Sequence, residues 1–287
     1  MPLTANSTSQ IGDILIWNGD TLALFSNPLE LRSDWEIIHQ IIIKELEIAD
    51  RLVYPQKYQK DEVESLSSSA CWRGYVAEWV IIDKKLYLTN IYACHDHNIK
   101  VDIKKIFLSE WKDGLIFASW AKCKLFIPKG ECIEWINLDY NSVYEKEIVL
   151  YVKNGNIAKI KTYNNSIVLR SKLSFDSNPL NFQDFVYSHV DWDILPDLKN
   201  KHIQVSIGIQ PNQDGQIDKI IGRYTFVIEF SNDSSKVISN RNNIFIKEVI
   251  RIAKLIPDWD VIYQRDKIVN RNFLINLDEN QQNKYKR

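Results

Sequence analysis

Apolar residues recur at every second position from Ile203 through Val205 and Ile207 to Ile209, with Gln204, Ser206 and Gly208 between them. That period belongs to a strand with one buried face. The run Pro211-Asn212-Gln213-Asp214-Gly215 follows. Its Asp-Gly step suits a tight turn, and a second strand over 216–222 would close a hairpin. Phe245, Val249, Ile252, Ala253 and Ile256 then change to helical spacing. Asn242 or Asn243 is placed to cap this helix, and Pro257 ends it because it cannot continue the hydrogen-bond ladder. From 267 to 277 the period returns to two, with Val269, Phe273, Ile275 and Leu277 on one side and Asn270, Asn272 and Asn276 on the other. The C-terminal part of the chain thus reads as β-β-α-β.

Upstream the pattern is mostly of strands. Residues 13–17 and 21–25 flank Asn18-Gly19, a hairpin signal. Residues 33–49 are densely apolar with a mixed period, read as a helix carrying Trp35, Ile38, Ile42 and Leu46 on one face. Residues 54–69 are polar and read as an exposed loop. Over 71–94 two strands join at Asp83-Lys84, with Trp72, Val76, Val80 and Tyr87 expected to supply large core side chains. A short helix is expected over 101–108. Strands are expected over 115–121, 124–127 and 132–138, the last two turning at Pro128-Lys129-Gly130. Another hairpin spans Asn154-Gly155. Strands at this spacing without long helices between them imply a curved antiparallel sheet. Residues 181–190 suit a helix with Phe182, Phe185, Val186 and His189 on one face. The fold class is therefore α+β: a β-rich antiparallel domain over 11–165, a linker over 166–180, and a small β-β-α-β domain over 181–280.

The order of "QVSIGIQPNQDGQIDKI" and "FIKEVIRIAKLIPDWDVIYQRDKIVNRNFLINL" resembles the C-terminal domain of the TonB family of periplasmic proteins. Asp214-Gly215 falls at the hairpin tip and Pro257-x-Trp259 at the helix end, so Asp214, Gly215, Pro257 and Trp259 are expected in structural roles. The resemblance implies binding of a protein or extended peptide by strand addition to the last strand. Val269, Arg271, Phe273 and Ile275 would lie along it, with Arg271 and Phe273 as specificity contacts. Two features depart from that family. The connection over 223–243 is long and holds an apparent extra strand at 225–230, "TFVIEF". The chain also has only 8 Pro and no apolar run long enough to span a membrane, so neither a Pro-rich spacer nor a membrane helix is present. The N-terminal half is similar to uncharacterised two-part proteins of Bacteroidetes that join a "CWRGY" hairpin and a "YEKE" strand to a TonB-like tail, which implies architecture and no activity.

Composition narrows this picture. At 287 residues and 45% hydrophobic, the chain can build cores for two domains or one large one. Its 36 basic and 37 acidic residues nearly cancel, which argues against nucleic acid or an anionic membrane as the main partner. Residues 1–10 lack the basic start and apolar core of a signal peptide, yet their small polar residues resemble the tail of one. A leader ahead of Met1 is therefore expected, placing the protein in the periplasm or cell envelope; without one it would be cytoplasmic. Four cysteines allow three pairings if all are bridged. A hairpin at 128–130 would make Cys123 and Cys132 diagonal neighbours, farther apart than the ~3.8 Å a disulfide prefers at Cβ. Buried free thiols are favoured for these two.

Candidate chemistry is sparse. Cys94-His95-Asp96-His97 is the one local cluster of metal-ligand types, but zinc needs a third and usually a fourth ligand, so no metal is expected. No phosphate loop, His-Glu-x-x-His helix or Gly-x-Ser-x-Gly elbow occurs, and no cofactor or enzymatic activity is expected. Arg73, set between aromatics in "CWRGY", can stack and still fork a carboxylate. It is a candidate ligand contact, against the plainer role of an ion pair with Glu78 or a neighbour. The nine Trp and thirteen Tyr fall mostly at inward strand positions and fit core packing better than carbohydrate binding. The reading that emerges is a non-enzymatic envelope protein that binds a protein or peptide through its C-terminal domain. The alternative is a cytosolic immunity or neutralising protein for a bacterial toxin. A dispersed catalytic site would need a pocket in which titratable groups converge.

Overall fold

A computed structural model describes residues 9–57, 66–136, 139–169, 171, 173, 179–229, 234–238 and 242–286. The chain is sheet-rich, 45% strand against 22% helix, and divides into two units, Met1–Asn165 and Ser166–Arg287. The N-terminal tail expected to follow a leader and much of the polar 54–69 loop lie outside the described residues.

In the first unit β1 (Asp13–Trp17) and β2 (Asp20–Leu24) meet across Asn18-Gly19, whose φ values of 54° and 86° are those of the tight hairpin turn that Asn-Gly favours. A short 3-10 turn, Pro28–Leu31, leads into α1 (Trp35–Val53), which buries Ile38, Ile42 and Leu46. Then come β3 (Tyr75–Ile82), β4 (Lys85–Ala93), α2 (Ile103–Ile106), β5 (Trp111–Lys112), β6 (Leu115–Phe117), β7 (Lys122–Glu134), β8 (Val143–Lys153) and β9 (Asn156–Asn164). The main strand order is β2-β1-β3-β4-β9-β8-β7, with β6 on β4 and β5 on β6. Pairing is antiparallel except between β1 and β3, which run parallel because α1 crosses between them. The ends of the sheet meet: Phe25 donates its N–H to the Phe126 carbonyl at 2.8 Å, and the Phe126 N–H donates to Ser26 Oγ at 3.0 Å. The sheet therefore curls around one core.

That core differs in three places from the sequence expectation. Trp72 is exposed and Val80 and Tyr87 only half-buried, while Tyr75, Val76, Ala77 and Trp79 fill the interior. A register shift between Glu78 and Trp79 changes the phase of the strand, so alternation counted from Trp72 assigns the wrong face. The expected turn at Pro128-Lys129-Gly130 is not a turn: β7 runs through it for 13 residues, and the positive φ of Gly130 (79°) serves a bulge against β8. Cys123 and Cys132 consequently lie on one strand, the first half-buried and the second exposed, and both are free. Cys71 and Cys94 are bridged, with Cα atoms 6.4 Å apart.

The second unit contains β10 (Ser166–Leu169), α3 (Pro179–Ser188), β11 (Lys201–Pro211), β12 (Ile217–Glu229), β13 (Ser234–Ile238), α4 (Ile244–Leu255), β14 (Val261–Gln264), β15 (Lys267–Ile268), β16 (Arg271–Asp278) and α5 (Glu279–Tyr285). Two sheets form, β13-β12-β11-β16 and β10-β14-β15. The expected linker thus begins with a strand, since β10 pairs with β14, and its last residues open α3. "TFVIEF" is no separate strand: through Glu229 it continues β12, which pairs with β11 along its whole length, and Phe230 lies outside the described residues. A bulge where Gly208 faces Gly222 broke the pattern. A Cβ on Gly208 would come within 2.8 Å of the Ile221 side chain, so the close approach requires glycine there. α4 is capped by Asn243, which accepts from the Ile246 N–H at 3.0 Å. Its stripe of Phe245, Val249, Ile252, Ala253 and Ile256 packs with Ile203, Val205, Ile207, Ile209, Phe273, Ile275 and Leu277.

Candidate strand-addition site

The last strand of the second unit is shorter than its pattern suggested. Lys267 and Ile268 pair with β14 in the smaller sheet, and the Val269 N–H donates to the Ile262 carbonyl at 2.8 Å, so Val269 continues that hairpin and does not lie on the open edge of the larger sheet. From Arg271 to Asp278 β16 pairs with β11, in a register that sets Ile275 opposite Val205 and Phe273 opposite Ile207. Among the described residues no strand pairs with its other side. α3 touches it at two points: the Tyr187 hydroxyl donates to the Asn276 carbonyl at 2.9 Å, and the Phe182 ring meets Phe273 edge-on at 5.9 Å.

The side chains divide by face. Phe273 and Ile275, expected as partner contacts, are 2% and 3% exposed and turn into the core, because they continue the buried phase of the alternation. Arg271 is largely buried, with its guanidinium 3.8 Å from Asp260. The open face carries Asn272 and Leu274 instead, and the exposed Tyr224 of β12 lies in the same row as Leu274 across Ser206. Ser206 Oγ donates to Asn272 Oδ1 at 2.7 Å, and Gln204 Nε2 to Asn276 Oδ1 at 3.2 Å. A strand that buries Phe273 and Ile275 presents the opposite phase, Asn272 and Leu274, to solvent.

Asp214, Gly215, Pro257 and Trp259 are brought together. Gly215, at φ 75°, closes the hairpin, and its carbonyl accepts the Trp259 N–H at 2.9 Å. Gln216 Nε2 donates to the Pro257 carbonyl at 2.8 Å, while the Trp259 ring packs edge-on against Phe273 at 5.3 Å. Asp214 is exposed and contributes main chain, its N–H donating to Asn212 Oδ1 at 3.0 Å. The hairpin tip, the end of α4 and β16 are thereby locked as one body.

In the first unit Arg73 is a buried partner and not an open one. Its Nη1 donates to Asp13 Oδ1 at 2.7 Å and its Nη2 to the Ile11 carbonyl at 2.9 Å, and its guanidinium lies over the Tyr75 ring at 5.0 Å. Asp13 also accepts from the Trp79 indole at 2.9 Å and the Ala77 N–H at 3.1 Å. Burial pushes the Asp13 carboxyl up while Arg73 pulls it down. Burial works against the Arg73 charge, and Asp13, Tyr75 and Tyr140 together more than offset it, holding the guanidinium above its ordinary value. Glu78, the partner expected from the sequence, instead accepts from Thr89, Asn90 and Tyr92.

A cleft of about 610 Å³ is lined by Val53, Tyr54, Pro55, Gln56, Lys57, His95 and Asp96. Behind it the fully buried Asp50 meets His95 Nε2 at 3.3 Å and Lys57 Nζ at 3.4 Å. The Tyr54 hydroxyl donates to Asp96 at 2.6 Å, which holds that carboxyl below its usual range. These groups converge, but they are committed to one another, and the lining includes no serine or cysteine to act as nucleophile. His97 stacks on Tyr92 at 5.2 Å, away from His95's partner. Among the described residues no group of three or more His, Cys, Asp or Glu is arranged to hold a metal ion. Among the described residues no helix is long and apolar enough to cross a membrane.

Comparisons of the chain with family models, with curated proteins and with solved structures gave no match.

Proposed function

We propose that this chain is a non-enzymatic protein of the cell envelope that binds a protein or extended peptide through its second unit, by strand addition at β16. The observation that carries this reading is the edge itself: β16 is hydrogen-bonded to β11 on one side and to no strand among the described residues on the other. An edge of this kind offers main-chain donors and acceptors for affinity, and alternate side chains of the guest meet pockets for specificity. Leu274 supplies an apolar contact on the open face beside the edge, and the locked Asp214-Gly215 and Pro257-x-Trp259 corner holds the edge rigid, which lowers the entropic cost of capture. The same order of hairpin, α4 and β16 supports treating the unit as TonB C-terminal-like. The Cys71–Cys94 bridge favours an oxidising compartment and weighs against the cytosolic immunity reading.

Peptides selected by display against the full chain provide the test. Bound peptides should slow amide exchange within 271–277 and should lose affinity about tenfold or more in Leu274→Asp, since a buried unpaired charge at the guest strand costs a kilocalorie or more. Selected peptides that protect other segments and ignore Leu274→Asp would remove the proposal.

A further inference from the structure

The open edge of β16 is shorter than the strand. In an antiparallel ladder, residues that bond to the partner strand alternate with residues that turn their N–H and C=O away from it. Asp278 has a single N–H, and this donates to Gln281 Oε1 at 3.0 Å and not across the ladder to His202. The even-numbered residues of β16 therefore face away from β11. The Asn276 carbonyl keeps the same phase, since it accepts from the Tyr187 hydroxyl at 2.9 Å. These two bonds also close one end of the edge. Tyr187, on α3, fills the Asn276 carbonyl, and Gln281, in the capping box that starts α5, fills the Asp278 N–H. At the other end Val269 continues the hairpin with β14, and pairing with β11 begins only at Arg271. Among the described residues, the N–H groups of Asn272, Leu274 and Asn276 and the carbonyls of Asn272 and Leu274 stay open. Three donors and two acceptors span about 13 Å at the rise of a strand.

Resting on the strand-addition reading, we propose that the guest at β16 is a linear segment of another protein, about five residues long, held through three of its carbonyls and two of its N–H groups. The two N–H groups belong to residues two positions apart. This count is set by the open groups of β16 and is the same for a parallel and an antiparallel guest. The other N–H groups of the guest point away from β16, so proline is tolerated at those positions. Beyond Asn276 the guest must end or turn aside, because its next N–H would meet a carbonyl already filled by Tyr187. A linear segment can turn there. The edge strand of a folded sheet, held straight by its own neighbours, would run on into Tyr187 and α5, which makes it the poorer occupant.

Display-selected peptides that protect 271–277 of the full chain are the probe. In the free chain the Asn272, Leu274 and Asn276 amides should exchange fast and the Asp278 amide slowly; bound peptide should slow the first three and leave Asp278 unchanged. Trimming a selected peptide should change affinity by less than about twofold until a core of about five residues remains, and each further residue removed should cost about tenfold. N-methylation along the peptide should cost about tenfold at two positions, two residues apart, and less than about threefold elsewhere. Tyr187→Ala, with exchange in 203–209 unchanged to show that the unit is folded, should open the Asn276 carbonyl and add a third sensitive position in the untrimmed peptide. If that variant does not fold, the scan on the native chain decides alone. Three or more sensitive positions on the native chain, or a core of seven or eight residues, would overturn the short window and leave strand addition standing. Slow exchange of the Asn272 and Leu274 amides before peptide is added would show the edge already covered and overturn both, as would selected peptides that never protect 271–277.

Discussion

The Arg73–Asp13 pair is buried on both sides, with side chains 9% and 0% exposed, and removing either partner strands a charge in the core. Arg73→Ala should therefore destabilise the first unit by about 3–5 kcal/mol, read as a shift in denaturant midpoint. The neighbouring Tyr75 hydroxyl, buried without a hydrogen-bond partner among the described residues, predicts the opposite sign. Tyr75→Phe deletes an unsatisfied donor and should gain about 1 kcal/mol; a loss of that size would mean the hydroxyl is paired. The stacking of Arg73 on an aromatic ring is legible in the sequence, but its partner Asp13 stands far away in the chain and no local pattern points to it. The free cysteines separate by environment. Burial pushes the Cys123 thiol up to about 11, and less thiolate at a given pH means slower alkylation. Burial raises the Cys132 thiol too, yet that residue is exposed to reagent. Iodoacetamide at neutral pH should label Cys132 first, and Cys123 only as the pH approaches that raised value or the chain unfolds. Equal rates by mass spectrometry would show that Cys123 is not shielded.

Elements with a strong local signal were readable from the chain: Asn18-Gly19, Asp83-Lys84 and Asn154-Gly155 all form the turns expected of them. Two departures share one cause. At Gly130 and at the Gly208–Gly222 pair a bulge absorbs residues inside a continuous strand, so a turn-like composition does not mark a break there. The mixed period of α1 has another cause, two apolar faces on one helix, which a search for a single stripe cannot resolve. The Cys71–Cys94 bridge was invisible because pairing depends on the crossing of segments and not on spacing. It ties the chain just before β3 to the residue after the end of β4, across a sequence separation of 23, and a loop of that size is worth about 3 kcal/mol. Dithiothreitol should therefore lower the melting temperature of the first unit and leave the second, which has no cysteine, unchanged. A reductant-insensitive melt would exclude a bridge in solution.

For the molecule as a whole, the division into two parts could be read from where the β-rich pattern stops, but the linker could not be placed because β10, only four residues long, is too short for its alternation to register as a strand. Its partner is β14, some ninety residues later, which pairs on its other side with β15. The second unit therefore needs residues 166–169 for a complete second sheet, while its main core of α3, α4 and β11, β12 and β16 side chains is built from later residues. Two fragments separate these contributions. One covering 166–287 should unfold in a single cooperative transition, because both sheets and the helices that cover them lie within it. A fragment beginning at 181 keeps the main core but exposes the β14 edge, and should melt several degrees lower with faster amide exchange in 261–264. If the shorter fragment proves as stable as the longer, β10 contributes nothing to the unit. If the longer one is molten, the second unit depends on residues before 166, and a rigid β16 edge could not be an independent property of it.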